Sequence, residues 1–154
     1  MILVTGGAYQ GKLDFAQKIY AAMEQKAVKD LDDKRALSSK IPKIVDGAEA
    51  DLSQLMEADI ISRFHLYIRH LLKQEKEPWP LIESLLKHNP QVIMTVTELG
   101  CGIVPIDAFD RKYREMTGRL CCRLAVESEA VYRVICGIGM KISEETKRKE
   151  KQCI

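Results

Sequence analysis

The sequence has few aromatic residues, no long apolar run and almost no net charge. Of its 154 residues 6% are aromatic, and 24 Lys and Arg residues balance 22 Asp and Glu residues to leave a formal charge of +2. A charge so close to zero argues against nucleic-acid binding driven by a basic surface. No apolar stretch approaches the roughly 20 residues that a membrane-spanning helix needs. We therefore expect no nucleic-acid partner, no membrane partner and a cytoplasmic location.

The start of the chain and the cysteines agree with that expectation. Residues 1–7 carry no basic residue and reach glycine too early for a secretion signal. The number of cysteines is odd, and no two of them have the C-x-x-C spacing of a redox or zinc motif. We predict no metal site, and reduced thiols that serve as small apolar side chains. The five cysteines are Cys101, Cys121, Cys122, Cys136 and Cys153.

Predicted strands and helices alternate along the chain. The apolar run Met1–Thr5 is typical of a buried parallel strand, and apolar residues at helical spacing predict a helix from Lys12 to about Lys26. This alternation predicts an α/β fold with a mostly parallel sheet in one domain, residues 1–142, followed by a charged tail, 143–154. The other predicted elements are a loop within 27–43, strands at Ile44–Val45, Asp59–Ile61, Val92–Thr97, Val131–Cys136 and Met140–Ile142, and helices that begin near Phe64, Pro78 and Asp107.

A glycine-rich loop joins the first predicted strand to the first helix. Residues 6–13 match the phosphate-binding pattern G-x-x-x-x-G-K-[ST] at every position but the last. Small residues let backbone N–H groups approach phosphate oxygens, the helix N-terminus attracts anions, and Lys12 neutralises the outer phosphates. An ordinary glycine turn is the alternative, and the strand-to-helix placement favours phosphate binding. The predicted nucleotide-binding residues are Gly6, Gly7, Ala8, Tyr9, Gln10, Gly11, Lys12 and Leu13.

Leu13 occupies the position at which such a loop normally offers a hydroxyl to Mg²⁺. Leucine has no oxygen to offer, so we expect Mg²⁺ binding to be weakened. The loss of one preorganised contact lowers a phosphoryl-transfer rate by about 10²–10³. Lys12 and the loop amides remain, and the sequence therefore predicts that GTP or ATP is bound while turnover is reduced.

Glu98 is the predicted catalytic partner of Lys12. It follows the Val92–Thr97 strand, and the C-terminal ends of core strands in an α/β protein face the ligand crevice. A carboxylate at that place orients a Mg²⁺ ion or activates a hydroxyl nucleophile. The alternative is a solvated loop residue or a helix cap.

These residues resemble the adenosylcobinamide kinase / adenosylcobinamide-phosphate guanylyltransferase family of cobalamin biosynthesis. The resemblance covers about residues 1–25 and 91–142 and is carried first by the glycine-rich loop, Glu98 and Gly102–Pro105. It continues in a row of arginines and a late Gly-Ile-Gly segment, at Arg111, Arg114, Gly118, Arg119, Arg123, Leu124, Ala125, Gly137, Ile138, Gly139 and Lys141.

The resemblance implies a RecA-like P-loop NTPase with three layers that assembles as a homotrimer. It implies nucleotide and corrinoid substrates, with phosphorylation of the adenosylcobinamide hydroxyl by a nucleoside triphosphate. Transfer of GMP from GTP to that phosphate follows in the family, through a guanylylated histidine. The loop residues are then expected to hold the nucleotide phosphates, with Glu98 beside the bound nucleotide.

Three departures from the family pattern shape the prediction. Leu13 replaces the loop hydroxyl, the strand and helix that bear the family's histidine have no counterpart in the sequence, and Cys121 and Cys122 stand where an Asn-Gln pair is usual. We therefore predict an adenosylcobinamide kinase that has lost conventional guanylyl transfer. The alternatives are a non-catalytic nucleotide-binding protein with a structural or regulatory role, and a small-molecule kinase with another substrate.

Several other residues have two interpretations each. His65 is a better candidate than His70 for a replacement nucleophile, because a strand-to-helix junction reaches a crevice, but a structural histidine is the commoner case. Asp46 either resembles the carboxylate that follows an apolar strand in P-loop proteins or belongs to an Asp-Gly turn. The row of arginines either grips phosphate or lies on a solvated or inter-subunit face. Trp79 is expected to be a packing anchor.

Overall fold

The described part of the chain alternates between strands and helices. The computed structural model describes residues 1–30 and 40–143. The strands are β1 (Ile2–Gly6), β2 (Ile44–Asp46), β3 (Ile60–Ser62), β4 (Ile93–Thr97), β5 (Ala130–Ile135) and β6 (Ile138–Lys141). The helices are α1 (Lys12–Asp30), α2 (Leu52–Met56), α3 (Phe64–Lys73), α4 (Pro78–His88) and α5 (Ala108–Glu127), with a 3₁₀ turn at Leu99–Cys101.

The strands form one sheet in which β1 takes a central place. The order is β2-β3-β4-β1-β5-β6. Strand β1 pairs in parallel with β4 and β5, and the parallel pairing continues through β3 to β2. Only the last pair, β5 with β6, is antiparallel. Because the carboxyl ends of parallel strands meet at one edge of a sheet, the segments that follow β1 to β4 gather there.

Helices cover both faces of the sheet, which makes three layers. Alternate residues of β1 point to opposite faces, so Ile2 and Val4 pack with Ala16 and Tyr20 of α1, while Leu3 lies in the other cluster. That larger cluster joins the sheet to α3, α4 and α5 through buried Phe64, Ile68, Leu85 and Leu124. Residues of β1 and β4 are buried on both faces, as in parallel sheets generally.

The predicted α/β class with a mostly parallel sheet is confirmed, with local differences. Helix α1 continues to Asp30, beyond the predicted end near Lys26. The sequence analysis missed α2, whose five residues are held by a capping box in which Asp51 and Gln54 bond each other's backbone N–H groups. So short a helix has too little apolar periodicity to be detected.

The last hairpin begins earlier than predicted. Strand β6 starts at Ile138 rather than at Met140, and the turn consists of Cys136 and Gly137 alone. Both residues have positive φ, 51° and 79°, as a two-residue hairpin turn requires. Position 139, within β6, is glycine because a Cβ there would come 2.0 Å from the Phe15 ring.

Parts of two predictions fall outside the described residues. Residues 31–39 of the predicted 27–43 loop lie outside them, and so do residues 144–154 of the charged tail, Cys153 included. Ser143 is described, and its hydroxyl accepts a 2.9 Å hydrogen bond from the Val131 N–H. Within residues 1–30 and 40–143, no helix is long and apolar enough to cross a membrane. The cysteines of this part, Cys101, Cys121, Cys122 and Cys136, are free thiols.

Replacement of Gly6 by alanine tests the close packing of β1 on β5. Gly6 has φ +150°, and a Cβ there would lie 2.3 Å from the Val134 carbonyl oxygen. We expect Gly6→Ala to lower the free energy of unfolding by about 3 kcal/mol, since backbone must move to admit the methyl group. Urea denaturation measures the change. Gly100→Ala is the control, because nothing lies within 4 Å of its added Cβ. Equal midpoints for the two variants would contradict this packing.

Candidate functional site

The glycine-rich loop lies at the carboxyl edge of the sheet. Gly6 ends β1 and Lys12 begins α1, so residues 7–11 form the connection. The Lys12 ammonium donates a 2.5 Å hydrogen bond to the Gly7 carbonyl oxygen, which places it over the loop. Burial lowers the pKa of Lys12, and the nearby charge of Glu98 opposes that shift. Ala8 and Tyr9, at the tip, are exposed. The predicted nucleotide-binding residues are therefore contiguous and open to solvent at the tip.

The turn between β5 and β6 anchors the loop. The Gln10 side-chain oxygen accepts a 2.6 Å hydrogen bond from the Cys136 N–H, and the Gln10 carbonyl accepts one of 3.0 Å from Gly137. Gly11, with φ +79°, sits so close that a Cβ there would lie 3.2 Å from the Gly137 Cα. Glycine at position 11 lets the two backbones touch, and glycine at position 137 adopts the positive φ of the turn. The loop is thus held in shape by a segment more than a hundred residues further along the chain.

Glu98 lies beside the base of the loop. Its N–H donates a 3.0 Å hydrogen bond to the Gly6 carbonyl. Its carboxylate accepts bonds of 2.9 and 2.8 Å from Nε and Nη2 of Arg133, and one of 3.4 Å from the Thr5 hydroxyl. The hydrogen bond from Arg133 lowers the pKa of Glu98, although partial burial acts the other way. The structure brings the two predicted catalytic residues, Lys12 and Glu98, to one place.

Sequence reasoning missed Arg133. It lies in β5 at the register position of Thr5 in β1, and β1 separates its strand from the strand that Glu98 follows. Its partner is 35 residues distant in sequence, so no local spacing rule connects them. Only the order of the strands reveals the pair.

A second carboxylate–arginine pair lies at the ends of β2 and β3. Arg63 Nε is 3.1 Å from each carboxylate oxygen of Asp46, and its Nη2 also donates to Asp46. Asp46 in addition accepts a 2.9 Å bond from the Ala48 N–H, which confirms the Asp-Gly turn. Partial burial acts to raise the pKa of Asp46, but the bonds from Arg63 and Ala48 outweigh it and the pKa is lowered. Asp46 thus serves a turn and an ion pair together.

His65 lies near Lys12, Arg63 and Asp46 and is almost completely buried. Its Nδ1 accepts a 3.4 Å hydrogen bond from the Thr97 N–H. Burial, and then the charges of Lys12 and Arg63, lower its pKa to about 4. The ring is therefore neutral at pH 7 with its proton on Nε2, which makes it a hydrogen-bond donor rather than a free nucleophile. His70 is exposed on α3 and contacts Gln74.

The side chains around the loop do not form a Mg²⁺ site. Leu13 brings no oxygen, and the carboxylates of Glu98 and Asp46 are each bound by an arginine. Among residues 1–30 and 40–143, no group of three or more His, Cys, Asp or Glu residues is arranged to hold a metal ion. The Mg²⁺ ion that the resemblance implies does not fit this donor set, because hard cations need free oxygen ligands.

The row of arginines on α5 does not converge on the loop. Arg111 donates to the Pro105 carbonyl at 3.1 Å, and Arg114 donates to the Ile103 and Gly100 carbonyls at 3.1 and 2.5 Å. These bonds hold the exposed segment that follows Glu98. Arg119 pairs with Glu115 on the same helix, and Arg123 lies 3.5 Å over the Trp79 ring, which is packed against the core.

Fold and loop together define the class of the protein. Strand β1 carries the loop and lies between β4 and β5, an acidic residue follows β4, and helices cover both faces. This is the RecA-like arrangement of a P-loop NTPase, as predicted.

A sequence model of the family described as cobinamide kinase / cobinamide phosphate guanyltransferase matches residues 28–142. The chain belongs to this family. It is 29% identical to the bifunctional adenosylcobalamin biosynthesis protein CobU of Salmonella typhimurium, over 185 aligned positions that cover 92% of this chain and 99% of that protein. It is 36% identical to the Escherichia coli protein of the same name over 62 residues, which are 40% of this chain and 34% of that protein.

The family match and the glycine-rich loop are separate observations, since the matched range begins after the loop. Membership supports a nucleotide-dependent role in cobinamide metabolism. The alignment with the Salmonella protein is longer than this 154-residue chain, so the relative has residues that this chain lacks.

The low pKa of His65 predicts how stability depends on pH. The folded-state pKa of about 4 lies below the ordinary 6.5, so the unfolded chain binds a proton first as the pH falls. We expect the free energy of unfolding to decrease by about 2–3 kcal/mol through this ring between pH 7 and pH 4. Urea denaturation at a series of pH values measures it. His65→Gln should flatten the profile and the exposed His70→Gln should not, and the same slope in both variants would refute this assignment.

Proposed function

We propose that this protein is a nucleotide-dependent adenosylcobinamide kinase. The observation that carries the proposal is that Lys12 and Glu98 lie close to each other at the glycine-rich loop, in a chain of the cobinamide kinase family. The loop supplies a phosphate site and Glu98 supplies an ionised carboxylate beside it. GTP or ATP is the proposed phosphoryl donor.

The proposed reaction is a single displacement at phosphorus. The aminopropanol hydroxyl oxygen of adenosylcobinamide attacks the γ-phosphorus of the nucleotide, one P–O bond forms, and the bond to the departing nucleoside diphosphate breaks. Lys12 neutralises the charge that develops on the departing diphosphate. Glu98, whose pKa Arg133 lowers, accepts a hydrogen bond from the attacking hydroxyl and orients it. A weak base suffices, because phosphoryl transfer proceeds through a loose transition state and the hydroxyl proton passes to water.

A second candidate is a nucleotide-binding protein without phosphotransfer activity. Leu13 favours it, since the loop keeps Lys12 and its backbone but has no hydroxyl for Mg²⁺. Guanylyl transfer has less support, because the Nδ1 lone pair of His65 is used by the Thr97 N–H. A kinase acting on another small molecule is a third possibility, since a P-loop does not name its substrate.

The proposal also covers the domain organisation, the oligomeric state and the location of the protein. We propose that residues 1–142 form one domain and that the protein assembles as a homotrimer in the cytoplasm, as the family resemblance implies. Support for an assembly comes from the sheet face at its β6 edge, where apolar side chains are half or more exposed. These side chains are Ile138, Met140 and Ile142.

Product analysis tests the proposed activity. Purified protein is incubated with adenosylcobinamide, Mg²⁺ and either GTP or ATP, and the corrinoid products are identified by mass spectrometry. We expect adenosylcobinamide phosphate and no GDP-linked product. Lys12→Met should slow the reaction by about 10²–10³ because the phosphate charge is no longer neutralised.

Lys18→Met is the matched control, since Lys18 is exposed on α1 away from the loop. A GDP-linked corrinoid would instead assign guanylyl transfer. The absence of any product from protein that binds nucleotide would support the non-catalytic candidate.

Restoration of the loop hydroxyl separates the first two candidates. We expect Leu13→Ser to raise the rate of phosphorylation by about 10²-fold and to make it depend on Mg²⁺, since serine provides the missing oxygen ligand. Leu13→Ala is the control, because it removes the same bulk and adds no oxygen. Initial rates are compared with and without the metal. Equal rates in the two variants would show that the hydroxyl is not what limits the natural site.

A further inference from the structure

Arg63 begins α3 in a conformation that is costly for its residue type. Its backbone has φ 51° and ψ 41°, the left-handed region, and it is the N-cap of α3 without a side-chain cap. A residue with a Cβ loses about 1 kcal/mol in that region. Such strain persists where neighbouring groups enforce it, and it concentrates at functional sites. The turn brings α3 directly onto the end of β3, at the edge where the glycine-rich loop lies.

The surroundings of Arg63 hold it firmly in place. Its N–H donates a 3.1 Å hydrogen bond to the Thr95 hydroxyl in β4. The Gly47 N–H donates 2.8 Å to the Ser62 carbonyl, and a Cβ on Gly47 would come within 2.9 Å of the Arg63 carbonyl oxygen. Asp46 holds the guanidinium through Nε and Nη2, while the side chain stays 53% exposed. The Nη1 group has no partner among the described residues.

The guanidinium shares its surroundings with the loop lysine. The positive charges of Lys12 and Arg63 both lower the pKa of His65, so both side chains lie near its ring. The Arg63 charge interacts most strongly with Asp46, then with Glu49, and also with Tyr9 at the tip of the glycine-rich loop. Two cations thus lie around a ring at the carboxyl edge of the sheet. An anion bound over the loop is within the field of both.

The carboxylates that would bind a divalent cation are already bound by arginines. Leu13 has no oxygen, and Glu98 and Asp46 are each paired with an arginine. A polyphosphate still needs positive charge near its outer oxygens. Arg63 keeps its positive charge while Nε and Nη2 bind Asp46, and its Nη1 group is left to donate to a phosphate oxygen without a metal. We infer that Arg63 binds the outer phosphates of the nucleotide and supplies, from the protein itself, positive charge that Mg²⁺ provides in other P-loop sites. This inference deepens the proposed function and rests on it.

Equilibrium binding of GTP to the full chain tests the inference. Isothermal titration calorimetry in EDTA and in Mg²⁺ should give dissociation constants that agree within about threefold for the wild-type protein. Arg63→Gln should raise the dissociation constant by about tenfold or more in EDTA. The loss should be smaller for GMP, which lacks the outer phosphates.

A second variant separates binding from folding. Arg63→Gly adopts the left-handed conformation without strain, so we expect it to fold while it loses the same affinity as Arg63→Gln. Arg119→Gln is the matched control, since Arg119 pairs with Glu115 on the exposed face of α5, away from the loop. Circular dichroism confirms that each variant is folded.

The outcomes distinguish this inference from the function on which it rests. If wild-type protein binds GTP only with Mg²⁺, or if folded Arg63→Gly keeps wild-type affinity while Lys12→Met loses it, Arg63 is not the phosphate ligand and the P-loop function stands. If the wild-type protein binds neither GTP nor ATP in either buffer, the proposed function and the inference both fail.

Discussion

The ion pair between Glu98 and Arg133 joins the three central strands where the glycine-rich loop emerges. Glu98 follows β4, Arg133 belongs to β5, and the Glu98 N–H and carboxylate bond to Gly6 and Thr5 of β1 between them. A partly exposed ion pair contributes little to stability, so its effect is geometric. It fixes a carboxylate against the base of the loop, and the turn after β5 fixes the other side through Gln10. The glycine-rich loop is therefore held by long-range contacts at both sides of its base.

The carboxyl edge of the sheet uses one arrangement twice. Glu98 is paired with Arg133 and Asp46 with Arg63, so each acidic side chain that follows a strand is bound by an arginine of a neighbouring segment. In a site that relies on a divalent cation, carboxylates are left free to bind it directly or through water. Leu13 has the same effect, because its side chain has no oxygen to bind the metal. Leu13 and the two ion pairs therefore have the same consequence, because together they leave a divalent cation without free oxygen ligands at this edge.

Local patterns in the sequence predicted the elements and the centre of the site, and failed where contacts are long-range. The strand–loop–helix unit with Lys12 and the position of Glu98 followed from spacing and apolar runs alone. The partners of these residues did not, because Arg133 and the turn at Cys136 meet them through strand order. His65 was recognised as lying at a strand-to-helix junction. Its tautomer and lowered pKa depend on Thr97 and on burial, which a single sequence does not display.

The late Gly-Ile-Gly segment shows how a motif far from a site can belong to it. Gly137 allows the hairpin turn to touch Gly11 of the loop, and Gly139 leaves room for the Phe15 ring of α1. A side chain at Gly139 would push the hairpin away from α1, whereas Gly137 is needed for its φ of +79°, since nothing lies within 4 Å of a Cβ there. In this arrangement the segment supports the backbone of the glycine-rich loop. The shared residues at the two ends of the chain are thus explained by one contact surface between the loop, α1 and the β5–β6 turn.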